Sequence, residues 1–371
     1  MSSRKLLMIP GPIEFHPEIL KAISEPSPSH VAPSFIESFG NALDMMKKVW
    51  LCPSGQSFII AGTGTLAMDM AGANLIESGD NALVISTGYF GERYAELLKR
   101  YGANVDVLNT PIGDVVSTEI IENTLKKKQY KLLTFTHVDT STAVLNNPIP
   151  IGELGKKYNV LTILDGVCSV AGEEIQQEKW GIDVVLTASQ KAIGVPPGLA
   201  LLVVSQKAME VWRNRNTPVG NYYADWSNWL PIMQAYTERK PSYFATPPVN
   251  LVLGLEKSLS LILEEGIEQR IKRHKDIAQA FRLAMQNLGL QFIPKSEAVS
   301  ANTLSAPYYP EEINGGELLS EISNQGVIVA GGLLASLKTK YFRVGHMGIV
   351  NEKDITTTIN AIDSALKLCN Q

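Results

Sequence analysis

Between residues 58 and 204, short apolar runs alternate with stretches whose apolar positions recur at helical spacing. Phe58-Ile59-Ile60 leads into Gly62-Thr63-Gly64-Thr65 and then a helix over residues 66–76. Strands are predicted at 82–86, 105–108, 132–136, 161–164 and 184–187, and the run 198–204 has the length of a buried strand. Between them lie an amphipathic helix at 92–101 stopped by Gly102, a polar helix ahead of residue 132, and a helix at 152–158. Alternation of this kind specifies an α/β fold: a mostly parallel sheet with helices on both faces, and chemistry at the carboxyl ends of its strands.

The texture changes after Lys191. Pro196-Pro197-Gly198 breaks the chain, residues 212–229 read as aromatic and irregular, and residues 241–248 form another loop. One long helical pattern covers about 249–288; strand and helix then alternate, with strands at 291–293, 327–330 and 341–344 and a last helix at 352–368. The expected division is an N-terminal arm (1–15), a large domain (16–255) and a smaller C-terminal α+β domain (256–371).

Composition removes several classes of function. The 371 residues carry 33 Lys and Arg against 37 Asp and Glu, a net charge of −4, which disfavours nucleic acid and anionic membranes as partners. With 45% hydrophobic residues the chain can bury a core. Cys52, Cys168 and Cys369 are odd in number and far apart, which excludes a disulfide framework and points to a reducing compartment. No apolar run is long enough to cross a bilayer, and neither end carries a targeting motif, so a soluble, cytoplasmic protein is expected. The five histidines (His16, His30, His137, His274, His346) lack metal-ligand spacing, so no metal site is expected; His137, at a strand end, reads as structural.

Three features carry candidate chemistry. Gly62-Thr63-Gly64-Thr65 before a helix offers backbone N–H groups and hydroxyls to a phosphate, and fits a threonine-capped turn equally well. Asp165 closes an apolar strand, where it could hold a cationic ring nitrogen or a metal, or cap a helix. Lys191 follows the next strand, in Ser189-Gln190-Lys191-Ala192, with little polar company; such a setting lowers an amine's pKa and favours Schiff-base chemistry. Phosphate cradle, carboxylate and amine are the set that pyridoxal phosphate requires, although a Mg²⁺-phosphate enzyme could use the same residue types.

These residues also resemble a known family. Ser189-Gln190-Lys191-Ala192 with Pro196-Pro197-Gly198, and Asp165-Gly166-Val167-Cys168-Ser169 upstream, are similar to the class V, fold-type I pyridoxal phosphate enzymes, above all the alanine–glyoxylate (serine–pyruvate) aminotransferases. The likeness runs from Pro10-Gly11-Pro12 through His137-Val138-Asp139-Thr140-Ser141-Thr142 and Tyr243-Phe244-Ala245-Thr246-Pro247-Pro248 to Arg343-Val344-Gly345-His346. It implies a large domain with a mostly parallel, seven-stranded sheet and a smaller C-terminal domain.

By the same resemblance, Lys191 carries the cofactor and shuttles the proton, while Asp165 pairs with the pyridinium nitrogen. Thr63, Gly64, Thr65 and Gln190 take the phosphate, Phe90 stacks on the ring where several relatives have tryptophan, and Thr140 stands where many have serine. Tyr243 and Thr246 would reach the neighbouring subunit's phosphate, which implies a homodimer with shared sites. Arg343 would grip the substrate carboxylate, together with the backbone at Gly11. Some relatives place histidine at the Thr65 position. The reaction so implied moves an amino group from alanine to glyoxylate in a ping-pong cycle. A serine-using aminotransferase is the alternative; a desulfurase fits worse, because residues 325–337 hold no cysteine.

Overall fold

Seven strands form one sheet: β1 (Gln56–Ala61), β2 (Asn81–Ser86), β3 (Asn104–Asn109), β4 (Leu132–Thr136), β5 (Leu161–Asp165), β6 (Val184–Ala188) and β7 (Leu199–Val204), in the order β1-β7-β6-β5-β4-β2-β3. This is a computed structural model describing residues 4–369. Residues 1–3 of the expected arm and 370–371 at the C-terminus lie outside the described residues. Four of the strands, β4 to β7, are buried at every position, as expected of a sheet covered on both faces.

Parallel pairing joins β3, β2, β4, β5 and β6, whereas β7 runs antiparallel to both β6 and β1. The reversal has a local cause. A parallel return needs a crossover of a dozen or more residues, usually helical. Residues 189–198 hold only turns and the break at Pro196-Pro197, so the chain folds straight back. Ser189 Oγ closes this loop, donating to Pro196 O at 2.8 Å and accepting from Leu199 N at 3.2 Å.

Several expected boundaries shift. The helices predicted at 66–76 and 92–101 are Gly64–Leu75 and Tyr89–Arg100, so both start earlier, in the loops that carry candidate site residues. The pattern at 249–288 is two helices, Val249–Glu265 and Ile267–Asn287, separated by Gly266 at φ +84°. Glycine tolerates that left-handed value, and the axis breaks there. Residues 212–229 are less irregular than expected, since a helix forms at Trp226–Thr237 in spite of Pro231 within it. Its Trp226, Trp229, Ile232, Met233 and Tyr236 are all buried, and the Asp225 carboxylate accepts from Ser227 N at 2.8 Å as a cap. Packing and a cap outweigh the proline. The strand expected at 291–293 is reduced to one bridge, Phe292 with Pro307. The one at 327–330 splits: Val327–Ile328 pairs with Leu6–Leu7, and Ala330–Gly331 with the Phe342–Gly345 strand.

Two hydrophobic cores result. The larger surrounds the seven-stranded sheet and takes in Val252, Leu255, Leu259 and Ile262 of Val249–Glu265. The smaller joins Ile277, Phe281 and Met285 to Leu318, Ile322, Phe342 and Ile362. Met8 belongs to this second core. Met8 N donates to Ile328 O at 2.8 Å, and Gly345 N to Met8 O at 2.8 Å. Anchored there, the N-terminal segment runs past the edge of the large sheet where β5 and β6 end.

Candidate active site

Asp165 is the last residue of β5, and Lys191 lies three residues beyond β6, its parallel neighbour. The Lys191 Nζ donates to the carbonyl oxygen of Pro10. Gly11 sits against it at φ +110°, where a Cβ would lie 2.6 Å from Lys191 Cδ. Both the backbone angle and the space therefore demand glycine. Arg343 lies inside the Phe342–Gly345 strand. Its Nε donates to Gly331 O at 3.0 Å and one terminal nitrogen to Thr140 O at 3.3 Å, so the guanidinium bridges the two cores.

On the other side, Thr63 precedes the Gly64–Leu75 helix, whose N-terminus has no side-chain cap. Gly64 is buried; a Cβ there would meet Val167 Cγ2 at 2.7 Å and Ala188 Cβ at 3.4 Å, so this turn lies directly over the ends of β5 and β6. Thr63 and Thr65 flank it, exposed. Gln190 Oε1 is buried without a hydrogen-bond partner among the described residues. Phe90 occupies the first turn of Tyr89–Arg100, and its N–H donates to the Asp139 carboxylate at 3.1 Å. Asp139 also accepts from Ser141 N at 2.9 Å and Ser141 Oγ at 2.6 Å, fixing the turn that carries Thr140.

Burial dominates the electrostatics. It pushes the Asp165 carboxyl up to about 7; the Val167 N–H at 3.0 Å opposes the rise, and nearby Asp139 adds to it. Burial likewise holds the Lys191 ammonium below its ordinary value; the Arg343 guanidinium adds to that, while Cys168 and Asp165 oppose it. Asp139 is raised by burial, and its hydrogen bonds limit the rise. His137 is pushed down to about 3 by burial and shares a 3.0 Å hydrogen bond with Ser169 Oγ. The arrangement can hold an anion at the uncapped helix, a cation at Asp165 and a carboxylate at Arg343, beside an amine of lowered proton affinity at Lys191.

The chain thus gathers Gly11, Thr63, Gly64, Thr65, Phe90, Thr140, Asp165, Gln190, Lys191 and Arg343 around one sheet edge. Tyr243 and Thr246 are not brought there. They lie exposed in the loop after Trp226–Thr237, their hydroxyls 3.5 Å apart and the Tyr243 ring 5.4 Å from that of His30. Sequence reasoning missed Asp139 as the link between Phe90 and Thr140, although an Asp two residues before a Ser is a recognisable turn signal. It also missed Tyr341, whose hydroxyl donates to Ser141 O at 2.5 Å and accepts from Leu333 N and Leu334 N, each at 2.9 Å. Arg93, to which the sequence analysis gives no role, is half-buried with its guanidinium carbon 5.1 Å from the Phe90 ring centre. A groove of about 680 Å³ between Asn41, Asp44, Leu253 and Glu256 contains none of these residues.

The family model for class-V aminotransferases matches residues 27–351. Alanine–glyoxylate aminotransferase 1 of Saccharomyces cerevisiae is 38% identical over 357 residues, covering 92% of each chain. The serine–glyoxylate aminotransferase of Arabidopsis thaliana is 29% identical over 370 residues, covering 98% of this chain and 90% of that protein. Among solved structures, an alanine–glyoxylate aminotransferase from Nostoc sp. superposes with a TM-score of 0.92 at 30% identity, over 99% of this chain and 96% of that one.

Proposed function

Because this chain belongs to the class-V aminotransferases, enzymes that work with pyridoxal phosphate, we propose that it transfers the amino group of alanine to glyoxylate, giving pyruvate and glycine. The residues present fit the cofactor. The buried Gln190 Oε1 lacks a partner, the Gly64 turn leaves a hollow that a Cβ would fill, and Asp165 is a buried carboxyl with no cation hydrogen-bonded to it among the described residues. Bound, pyridoxal phosphate supplies a cationic ring that draws electrons from a substrate's α-carbon and makes its proton removable.

In this reading Thr63, Gly64, Thr65 and Gln190 hold the phosphate, and Asp165 keeps the ring nitrogen protonated. Phe90 would stack on the ring, and Thr140 would offer it a hydroxyl. Tyr243 and Thr246 of a neighbouring copy complete the phosphate site in a homodimer, which accounts for their exposure in the single chain. Lys191 Nζ, its proton affinity lowered by burial, would take the α-proton from the substrate and deliver it to the carbon that carried the cofactor's aldehyde. Arg343 binds the α-carboxylate through paired N–H donors, which lysine could not reproduce.

The observation that carries the proposal is that Gly11 packs directly on Lys191 while the Arg343 guanidinium is near enough to act on the amine's charge, so a single carboxylate-binding cation accompanies the amine. The likeness to a serine–glyoxylate enzyme supports serine as the second donor to test. With a panel of amino acids and glyoxylate, alanine should give pyruvate and glycine in equal amounts, at a kcat/KM about tenfold above other donors. Faster turnover of serine would replace the alanine reading, and no glycine from any donor would remove glyoxylate as acceptor.

A further inference from the structure

Arg93 is a charged residue for which the proposed roles leave no task. It stands in the second turn of Tyr89–Arg100, half-buried, with both arms of its guanidinium engaged. One terminal nitrogen donates to Thr65 Oγ1 at 3.2 Å and the other to the Tyr89 hydroxyl at 3.0 Å. The guanidinium carbon lies 4.9 Å from the Tyr89 ring centre and 5.1 Å from that of Phe90. These two rings meet edge to face, their centres 5.3 Å apart, so the cation covers a fixed aromatic pair. Among the described residues no carboxylate forms an ion pair with Arg93. Its charge is nevertheless felt at Asp165, where it favours the carboxylate.

A half-buried cation without a counter-ion, beside a helix N-terminus without a side-chain cap, concentrates positive potential at one turn. The chemistry of Thr65 gives that potential a direction. A hydroxyl has one proton to donate and two lone pairs. With the Arg93 N–H occupying a lone pair of Oγ1, the Thr65 proton is free to donate towards the cradle formed with Thr63 and Gly64. The same side chain that orients this hydroxyl holds Phe90 in place.

We infer that Arg93 is a positioning residue for the cofactor's phosphate: it orients the Thr65 hydroxyl as a donor, supplies the positive charge that the neutral cradle lacks, and ties the phosphate site to the ring-covering Phe90. The inference rests on the functional reading above. It assigns Arg93 an effect that is larger on ligands that carry a phosphate dianion than on those that share only the ring.

The test uses cofactor-free protein titrated with pyridoxal phosphate and with pyridoxal, which has the same ring and aldehyde but no phosphate. Binding is followed by absorbance and by quenching of intrinsic fluorescence. Arg93→Gln should weaken pyridoxal phosphate about tenfold and pyridoxal much less, since only the hold on Phe90 affects both. Arg93→Lys keeps the charge but not the fork, and should fall between. Inorganic phosphate should compete with pyridoxal phosphate less well in the Gln variant than in the wild type. Equal weakening of both ligands would overturn the inference, since Arg93 would then act only through Phe90 or the fold. No weakening of either would overturn it as well. Wild-type protein that binds neither ligand would overturn the functional reading itself, a distinct outcome that takes this inference with it.

Discussion

Arg270 is 6% exposed and lies at the start of the Ile267–Asn287 helix, yet it holds together the two loops that carry Asp165 and Lys191. Its Nε donates to Ala171 O at 2.8 Å, and one terminal nitrogen to Ala192 O, also at 2.8 Å. The other terminal nitrogen pairs with Glu265 at 2.6 Å, and Arg273 holds the same carboxylate at 2.7 Å. Arg270→Met keeps much of the side chain's bulk but strips the donors from two carbonyls. Each buried carbonyl left unpaired costs about 1–3 kcal/mol. The variant no longer buries a guanidinium, which offsets part of that cost, and Glu265 keeps Arg273. The expected net loss is about 3 kcal/mol. Urea unfolding at neutral pH measures it. Although burial opposes it, the two arginines hold the Glu265 carboxyl below its usual range. The stability this contributes is present above the unfolded pKa and fades as pH falls below about 4, so the gap between wild type and variant should narrow there. A gap below about 1 kcal/mol at neutral pH would mean that the two loops hold their shape without Arg270, and the reasoning would fail.

Gly11→Ala places a Cβ 2.6 Å from Lys191 Cδ on backbone at φ +110°. It should cost about 1–3 kcal/mol of stability and lower turnover further by displacing the amine, checked by thermal unfolding and initial rates; an unaffected variant would show that this close approach is dispensable. Burial raises Asp165 to about 7 in the folded chain. Unfolded, it titrates near about 3.9, so the folded state keeps a proton that the unfolded chain releases, and its contribution to stability is lost as pH rises from about 4 to about 7. Cofactor-free Asp165→Asn should therefore gain on the wild type across that window; a constant difference in melting temperature would refute the shift.

Much of the fold was legible because the residues of β2, β4, β5 and β6 are apolar runs bounded by turns, and their spacing admits only strands joined by helices. Asp165 and Lys191 could be located from the same pattern, since each follows such a run. What stayed hidden depended on contacts that no local period encodes. The break at Gly266 looks like continuous helix because apolar positions recur on both sides of it. Nothing local singles out Arg93, which stands among the charged residues Glu92 and Glu96. The available clue was the pair Tyr89 and Phe90, four and three residues earlier, at the spacing that brings side chains together on a helix. Tyr243 and Thr246 find no role within a single chain, so only a reading that includes a second copy gives them one.

The strand order explains why distant motifs meet. In the sheet β1 and β6 are separated only by β7, and Leu199, the first residue of β7, pairs with Ala61, the last of β1. Because β7 is reversed, the loop that feeds it emerges on the edge where β1, β5 and β6 end. A helical crossover before β7 would have carried residues 189–198 over the face of the sheet, removing Lys191 from Asp165 and from the Gly64 turn. The short connection broken by Pro196-Pro197 therefore positions the amine as much as any contact Lys191 makes. The N-terminal segment closes the arrangement from the other side. Met8 is tied to the strand that carries Arg343, through its hydrogen bond from Gly345, while Pro10 accepts from Lys191. A shift of the smaller core relative to the sheet would thus move Arg343 and the chain behind the Lys191 amine together, so the substrate grip proposed for Arg343 and the placement of the amine are coupled through residues 8–11.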